Sequence, residues 1–347
     1  MGEEKQLEEY EGIKNNSEIL FIYDAKMCNP NGDPDDENKP RMDYNRNINL
    51  VSDVRLKRYI RDYLMDYKEK TIFVSKVDGA VKLPEERLKL FAESEKKKID
   101  FKKITEEDKN WLLSKLPDTR LFGAIIPNCV FEKGGNATFT GPVQFNWGYS
   151  LNKVTGPMES SGITSHFSTG EKKEAGAMGK DYRVDYSLIA FHGIISAKRA
   201  ENTKLADADI DLFDEAMIKA IPLEATTRSK TGQSPLLYIR VEYNTPEFFV
   251  GDFRRYVKIA EKEKGEDIPF DETAKLRSTD DYKLDLTKLS EKLGEHSDKI
   301  ERTHFWNSQD IEINGWENQD GKLKTKNSAK KDLEIPIIAL PKTKEER

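Results

Sequence analysis

Cysteine and histidine are scarce in this sequence, with two cysteines and four histidines among 347 residues. Cys28 and Cys129 show neither CxxC spacing nor a neighbouring pair of histidines, so the sequence predicts reduced thiols and argues against a disulfide or a zinc site. His192 lies in an apolar strand pattern, which favours a core histidine over a catalytic base. From these side chains we expect neither a cofactor nor a catalytic centre.

Enzyme signatures and membrane segments are also lacking. The sequence contains no GxxxxGK[ST], HExxH, GxSxG or GxGxxG motif, which leaves nucleotide hydrolysis and the common hydrolase chemistries without support. No apolar stretch is long enough to span a membrane, and the acidic start Met1-Gly2-Glu3-Glu4-Lys5 lacks the apolar segment of a secretory signal. These absences predict a cytoplasmic protein that is not an enzyme and has no membrane partner.

Charge is abundant but unevenly distributed along the chain. The net charge is −6, and residues 261–320 alone carry 17 acidic and 9 basic side chains. The stretch from Arg41 to Arg61 contains only two acids, Asp43 and Asp53. Its six basic residues are Arg41, Arg46, Arg55, Lys57, Arg58 and Arg61. The sequence therefore predicts a local cationic patch on an otherwise anionic molecule.

A sharp turn follows the first predicted strand, at residues 18–27, whose apolar run is Ile19 to Tyr23. Its sequence is Asn29-Pro30-Asn31-Gly32-Asp33-Pro34, and two prolines with a glycine cannot continue a strand or a helix. The turn exposes backbone N–H groups between Asn and Asp side chains, an arrangement that can hold phosphate or a metal. Asp33 to Glu37 supply hard oxygen ligands for a divalent cation. Acidic surface loops are common, however, and we expect no metal here.

A helix with one basic face is predicted after this turn. Ser52 can cap a helix that runs to about Lys68. Its apolar stripe consists of Leu56, Tyr59, Ile60, Tyr63, Leu64 and Tyr67. At about 100° per residue, the complementary arc holds Arg55, Lys57, Arg58 and Arg61. This arc is either an ordinary solvated face or a surface that grips a nucleic-acid backbone.

The remaining pattern predicts an α+β fold. We expect an inserted helical segment at 69–118 and then two strands, at 138–149 and 186–195, with a projecting glycine-rich hairpin or arm between these two strands. A helix from Asp207 to Ile221, ended by Pro222, and a last strand at 236–243 should follow. The resulting order, βαββαβ, is the ferredoxin-like arrangement that also underlies the RRM. Beyond residue 245 we expect helices at 248–263 and 284–293 and an edge strand at 333–340.

A second candidate loop, Arg228-Ser229-Lys230-Thr231-Gly232-Gln233, lies before the last predicted strand. Its cationic and hydroxyl groups are suited to phosphates, although a plain connection is equally consistent with this sequence. In a βαββαβ sheet, the loop after the first strand and the loop before the fourth can lie on one side. We therefore expect the two loops to meet.

Several ordered motifs together resemble a known family. The turn Asn29 to Pro34, then Pro40-Arg41 and Ser52 to Arg61, closely resemble the opening of the Cas-seven family of the RAMP superfamily, the crRNA-binding backbone subunit of type I CRISPR Cascade complexes. Arg120-Leu121-Phe122-Gly123 and Thr140 to Phe145 resemble its next landmarks. The resemblance covers about residues 17–243, and the subtype looks closest to I-B.

This resemblance implies an architecture and a function. It implies an RRM-like palm (17–68 and 119–245), helical fingers (69–118), a thumb hairpin inserted in the palm (152–182) and an acidic extension packed on the palm (246–347). Copies would stack along one guide RNA, each thumb flipping a base of its neighbour's RNA and leaving the other bases for pairing with target DNA in antiviral defence. The implied partners are crRNA, target DNA, other copies and other Cascade subunits.

The resemblance also implies roles for individual residues. The residues implied to contact the guide backbone are Asn29, Asn31, Arg41, Arg55 and Arg58, with Lys57 and Arg61 as supporting charges. The loop residues Arg228, Ser229 and Lys230 join them on chemical grounds. The thumb candidates that wedge between bases are His166, Phe167 and Met178, and one stacked base is worth roughly 1–3 kcal/mol.

Two other functions remain open at this point. Related type III backbone subunits cut target RNA with an aspartate in the loop after the first strand, so Asp33 raises the alternative of a metal-dependent ribonuclease. Type I members are not nucleases. The other alternative is a monomeric RRM-like binder of single-stranded RNA. The acidic 261–320 segment either contacts a neighbouring subunit or repels stray nucleic acid.

Overall fold

The computed structural model describes residues 12–77, 79–164, 178–326 and 332–340. The α-helices in these ranges are α1 (Asp53–Asp66), α2 (Pro84–Ser94), α3 (Glu106–Lys115), α4 (Pro117–Phe122), α5 (Ala197–Thr203), α6 (Asp207–Glu224) and α7 (Thr287–Gly294). Short 3-10 helices span Phe253–Tyr256, Glu272–Lys275, Thr279–Asp281 and Ser297–Lys299. Among the described helices, none is both long and apolar enough to cross a membrane.

The strands of the first half precede and surround α1 to α4. They are β1 (Ser17–Cys28), β2 (Gly32–Asp33), β3 (Lys39–Pro40), β4 (Met42–Asp43), β5 (Ile48–Val51), β6 (Gly123–Val130), β7 (Asn136–Thr140), β8 (Val143–Phe145), β9 (Gly148–Ser150) and β10 (Met158–Thr164). Those of the second half are β11 (Met178–Ile195), β12 (Gln233–Tyr243), β13 (Lys258–Ala260), β14 (Lys283–Asp285), β15 (Ile300–Asn307), β16 (Ile313–Asn314), β17 (Glu317–Gln319), β18 (Lys322–Lys326) and β19 (Asp332–Ala339).

The large sheet is built around β1. This strand pairs antiparallel with β11 on one side and with β12 on the other, so that Phe21 faces both Phe191 and Tyr238. Beyond β11 lie β8, β9, β5 and β4, and beyond β12 lie β15, β19, β18 and β17. The prediction of a mixed α+β protein is confirmed, and the first predicted strand extends one residue further at each end than expected.

Both faces of β1 are buried, which explains its unbroken apolar run. Ile19, Phe21 and Tyr23 point to the face covered by α1 and α6. Leu20 and Ile22, which alternate with them, point to the opposite face. A strand buried on one face only would show alternating polar residues instead.

The C-terminal part of the chain covers that opposite face. Phe253, Tyr282 and Leu284 are fully buried there against Leu20 and Ile22 of β1. Leu289 and Leu293 of α7 complete the same apolar cluster. The acidic 261–320 segment therefore supplies part of the core on that face.

A third apolar cluster belongs to the inserted segment. Leu88 and Phe91 of α2 and Leu112 of α3 pack in it together with Ile126 of β6 and Phe139 of β7. The hairpin β6–β7 is thus outside the main sheet.

The predicted single strand at 138–149 is wrong, because the chain divides this segment among β7, β8 and β9. Pro142 lies at the first break, and it has no N–H to donate to a neighbouring strand.

Several expected boundaries also need correction. The predicted helix 248–263 is wrong, because Val250 and Gly251 donate their N–H groups to the buried carboxylate of Glu18 and the chain continues as a 3-10 turn and β13. Pro222 does not end α6, which runs on to Glu224. The predicted helix 284–293 begins only at Thr287, after β14. The strand predicted at 333–340 is confirmed as β19, although it lies between β15 and β18 and not at an edge.

Candidate nucleic-acid interface

The turn after β1 is shaped by side chains that hold the backbone. Gly32 begins the small hairpin β2–β3, where an added Cβ would come within 2.0 Å of the Asn38 Oδ1 atom. The Asn31 Oδ1 atom accepts hydrogen bonds from the N–H and the hydroxyl of Ser52, at 2.9 and 3.0 Å. Ser52 in turn caps α1 by accepting from the N–H of Arg55. The turn and the helix start are therefore one connected unit.

Asn29 is placed differently from the expectation of a direct guide contact. Its side chain is 1% exposed, and its Nδ2 atom donates to the carbonyl of Asn38 at 2.7 Å. Its Oδ1 atom is buried and receives no hydrogen bond from the part of the chain that the structure describes. The expectation that Asn29 contacts RNA is thus corrected to that of a residue that shapes the turn, because burial removes it from the surface.

The basic face of α1 is narrower than predicted. Lys57 and Arg61 are each 8% exposed. The Lys57 ammonium binds Asp53 and Gln144, and the Arg61 guanidinium binds the buried Asp118 at 3.2 Å. Both charges are paired within the protein, which does not favour their expected role as supporting charges for RNA, and that role stays a prediction.

Arg55 and Arg58 keep the outward position that the sequence predicts. Arg58 is held by Asp62 through two contacts of 2.6 and 2.8 Å. The Arg55 guanidinium lies over the Tyr59 ring, 4.1 Å from its centroid, and makes no ion pair with a described residue. Its Nε atom is buried without a hydrogen-bond acceptor in the described ranges. Arg55 is therefore the cation of this face that is free to bind an anion.

The loop before β12 meets the turn after β1, which confirms the predicted convergence. The N–H of Asn29 donates to the carbonyl of Ser229 at 2.7 Å, and the Lys230 Nζ atom donates to the carbonyl of Asn29 at 2.7 Å. Gly232 has a φ of +114°, and an added Cβ there would lie only 2.4 Å from the carbonyl oxygen of Lys26, so a side chain does not fit. We call residues 29–33, residues 228–232 and Arg55 the two-loop site.

Two cations of the two-loop site, Arg55 and Lys230, have no carboxylate partner among the described residues. Burial and the nearby Arg55 lower the pKa of the Lys230 ammonium to about 8. Neither side chain forms an ion pair with any residue in the described ranges, whereas most arginines and lysines on this surface do. Two uncompensated like charges destabilise each other, and a bound anion relieves that repulsion. The site is therefore electrostatically suited to a phosphate group.

Arg183 joins the two loops and was missed by sequence reasoning. Its guanidinium donates to the carbonyls of Met27 and Arg228, at 2.6 and 3.3 Å, and pairs with Asp181. Arg228 is exposed and binds the same carboxylate at 3.1 Å. No local motif marks Arg183, since only the register of β11 against β1 brings it beside the end of β1.

Asp33 is engaged by a neighbouring cation. The Arg41 Nη1 atom lies 3.0 Å from the Asp33 Oδ2 atom, and the other Asp33 oxygen accepts from the N–H of Asp35. Across the described ranges, no group of three or more His, Cys, Asp or Glu residues is arranged to hold a metal ion. The arrangement gives Asp33 the role of orienting Arg41.

Other predicted residues have mixed outcomes. His166 and Phe167 lie outside the described residues, and Met178 is described only as the first residue of β11. His192 is confirmed as a core residue, at 7% exposure beside Glu18, and burial lowers its pKa. Both cysteines are buried and free. Burial raises the pKa of the Cys28 thiol to about 12, which keeps it protonated beside the site.

The lowered pKa of Lys230 predicts an unusual pH dependence. Lys230 must be protonated to bind an anion, so affinity for single-stranded RNA should fall as pH rises from 7 to 9, through the folded pKa of about 8. The free energy of unfolding should instead rise with pH. An unfolded lysine with an ordinary pKa of 10.5 binds more protons than the folded one above pH 8, and stability rises with pH wherever the unfolded state binds more protons. Filter binding and urea unfolding across this range measure the two trends.

The matched variant for this test is Lys230→Arg, whose guanidinium stays charged throughout. Its RNA affinity should be nearly flat between pH 7 and 9 at constant ionic strength. Equal pH profiles for the wild type and the variant would contradict the assignment of Lys230 to the anion site.

Comparison with known proteins identifies the family. The model of the family described as CRISPR-associated protein Cas7 matches residues 15–287. The chain belongs to the Cas7 family. A curated Cas7 protein of Haloferax volcanii is 32% identical over 312 residues, which cover 86% of this chain and 88% of that relative. The Cas7 match includes both loops of the two-loop site and α1.

Solved structures with similarity to this Cas7-family chain come from RNA-guided assemblies. A chain of a "CRISPR RNA-guided surveillance complex" aligns with a TM-score of 0.46 at 13% identity, covering 85% of this chain and 89% of that chain. A chain of a "CRISPR RNA-guided surveillance complex, pre-nicking" aligns with a TM-score of 0.39 at 13% identity, covering 65% and 78%.

Proposed function

We propose that this Cas7-family chain binds guide RNA as a backbone subunit of a type I CRISPR surveillance complex. Copies line up along the crRNA, contact the other Cascade subunits, and leave guide bases exposed for pairing with target DNA. The observation that carries this proposal is the two-loop site, where Arg55 and Lys230 lie together without a carboxylate. A subunit that serves any guide sequence must bind the phosphate backbone, and these two cations suit that task.

The covered sheet favours this mode over the RRM-like alternative. An RRM stacks bases on aromatic side chains of an open sheet face. Here Phe21, Tyr23 and Phe191 are buried under α1 and α6. The other face, with Leu20 and Ile22, is buried under the C-terminal layer. Neither face of the central strands is open to a base, which supports RNA binding at the ends of the strands.

The domain roles follow from the packing. We assign the palm to β1, β8, β9, β11 and β12 with α1 and α6, because their order and antiparallel pairing fit a ferredoxin-like unit. The fingers correspond to α2 and α3, to which we add the hairpin β6–β7 on the ground of their shared core. The thumb corresponds to β10 and the beginning of β11. His166, Phe167 and Met178 stay proposed as its base-wedging residues.

The ion pair of Asp33 supports a non-catalytic role. A metal-dependent ribonuclease needs carboxylate oxygens free to bind the cation. The Arg41 guanidinium competes for the Asp33 carboxylate at 3.0 Å and places a positive charge where the metal would lie. We therefore assign Arg41, oriented by Asp33, to the backbone-binding surface, together with Asn31 and Arg58.

The proposal is tested by the RNA that co-purifies with the protein. We expect guide RNA of one class, bound by several copies of the protein. Nuclease digestion of the complex should leave protected RNA fragments whose length increases by a constant increment for each bound copy. Sequencing and gel analysis of the protected RNA measure both. Random cellular RNA without a repeating increment, or one copy per RNA, would contradict the stacked arrangement and support a monomeric binder.

A further inference from the structure

Trp147 is an exposed aromatic residue on a rigid support. It lies between β8 and β9 and is 46% exposed, whereas Trp111, Trp306 and Trp316 are all less exposed. Its carbonyl accepts a hydrogen bond of 2.7 Å from the Arg254 Nη1 atom. The N–H of the preceding residue, Asn146, donates to the carbonyl of His192 at 3.0 Å. The backbone is thus fixed on both sides while the ring faces solvent.

The arginine that holds Trp147 is itself fixed. Arg254 is 6% exposed and binds both oxygens of Asp252, at 2.9 and 2.7 Å. Its guanidinium also stacks over the Tyr149 ring, 4.3 Å from the centroid. Tyr149 pairs with Leu50 of β5, so the support extends into the sheet. A solvent-exposed indole held by so many buried contacts is suited to binding a flat partner.

The surroundings of Trp147 are cationic. The Arg41 guanidinium lies 5.8 Å from the centroid of the Trp147 ring. Two further arginines are on neighbouring elements: Arg46 in the turn between β4 and β5, the strand that pairs with β9, and Arg255 next to Arg254 in the 3-10 helix Phe253–Tyr256. Both are exposed, and neither forms an ion pair with a residue that the structure describes. The ring is therefore bordered by Arg41, which pairs with Asp33, and lies near two arginines, Arg46 and Arg255, that have no ion-pair partner among the described residues.

This surface is continuous with the two-loop site. The N–H of Arg41 donates to the carbonyl of Asn31 at 3.0 Å, and the carbonyl of Arg41 accepts from the N–H of Leu50 at 2.8 Å. Arg41 therefore links the turn after β1 to the β5–β9 pair that carries Trp147. A strand of RNA bound at Arg55 and Lys230 has a cationic path along Arg41 to the indole ring.

We propose that Trp147 stacks on one base of the bound RNA and that Arg46 and Arg255 bind the phosphates beside it. This inference rests on the proposed function and adds a base contact outside the thumb. An aromatic platform flanked by arginines is the usual means of holding single-stranded nucleic acid without reading its sequence.

The test uses the full-length protein and a single-stranded oligouridylate. Trp147→Ala should weaken RNA binding by about 5- to 150-fold, which is the loss of one stacked base, without changing the salt dependence. Trp147→Phe should retain most of the affinity. RNA should quench the tryptophan emission of the wild type, and that quenching should be absent from Trp147→Phe if it arises at this ring. Arg46→Gln with Arg255→Gln should instead lower the salt dependence.

The outcomes separate this inference from the proposed function. Loss of RNA binding by the wild type itself would overturn the proposed function. Normal binding by a folded Trp147→Ala protein, with unchanged quenching, would overturn the stacking assignment and leave the proposed function intact. Normal affinity per copy with fewer copies on each guide RNA would also overturn it, since Trp147 would then contact a neighbouring protein.

Discussion

Replacing Arg55 and Lys230 together with glutamine will lower the affinity for single-stranded RNA by about 10- to 100-fold, the expected loss of two charge-assisted phosphate contacts. The salt dependence will fall as well, by about 0.7 in the slope of log affinity against log salt for each contact removed. Filter binding over a series of salt concentrations measures both quantities. Binding to different RNA sequences should weaken equally, because these cations contact phosphates and not bases.

A control variant removes the same charge elsewhere. Lys275 and Lys288 are exposed residues of the C-terminal layer that do not belong to the two-loop site. Changing both to glutamine should leave the affinity and the slope nearly unchanged. If both double variants lose affinity to the same degree, RNA binds through overall charge and the two-loop site is not its contact.

The largest effect on stability is expected from Asp214→Ala. Asp214 is 1% exposed and accepts hydrogen bonds from the Tyr238 hydroxyl and from the Arg240 guanidinium, at 2.6 and 2.7 Å. Arg240 is 4% exposed, so the variant leaves a buried charge without its partner. The free energy of unfolding should drop by about 3–5 kcal/mol. Urea unfolding followed by circular dichroism measures this loss.

Two comparisons establish that the loss comes from burial. Asp62→Ala removes the partner of Arg58 from an exposed pair on α1 and should cost at most about 1 kcal/mol. Replacing Asp214 with Leu and Arg240 with Met in one chain should recover much of the lost stability, because no buried charge then remains. A small decrease in the free energy of unfolding for Asp214→Ala would mean that water reaches Arg240.

The first strand and the first helix were predictable because their patterns are local. The apolar run of β1, the capping Ser52 and the stripe from Leu56 to Tyr67 all depend on neighbouring residues in sequence. The meeting of the two loops was also predictable, because in the predicted βαββαβ order both can lie on one side of the sheet. The expected family membership is confirmed, whereas subtype I-B stays a prediction.

The outward arc of α1 was misjudged because a helical wheel does not show which elements pack on it. Lys57 and Arg61 are four residues apart and flank the apolar stripe on the side of Leu64. That side faces α4, whose Asp118 and Phe122 bind the Arg61 guanidinium. A pattern of charges alone cannot distinguish such a buried pair from a solvated one.

The C-terminal layer was unpredictable for a related reason. Its helices and strands are short, and its apolar residues, spread over about 90 positions, join one cluster with residues of β1 and β12 that are far away in sequence. Arg183 and Trp147 were missed as site residues because β-sheet register, and not sequence distance, places them beside the two loops.

One continuous strand, β11, belongs to two pairings at once. Its residues 184–195 pair with β1 in the main sheet, while residues 178–183 pair with β10 outside it. The outer six residues therefore extend about 20 Å beyond the sheet without a break in the backbone. At the junction, the Tyr182 hydroxyl binds the Glu37 carboxylate at 2.6 Å. The reach and direction of the hairpin are thus set by the residue count of β11 and the twist of the sheet, and in the proposed stack a longer or shorter β11 would change the spacing between successive copies.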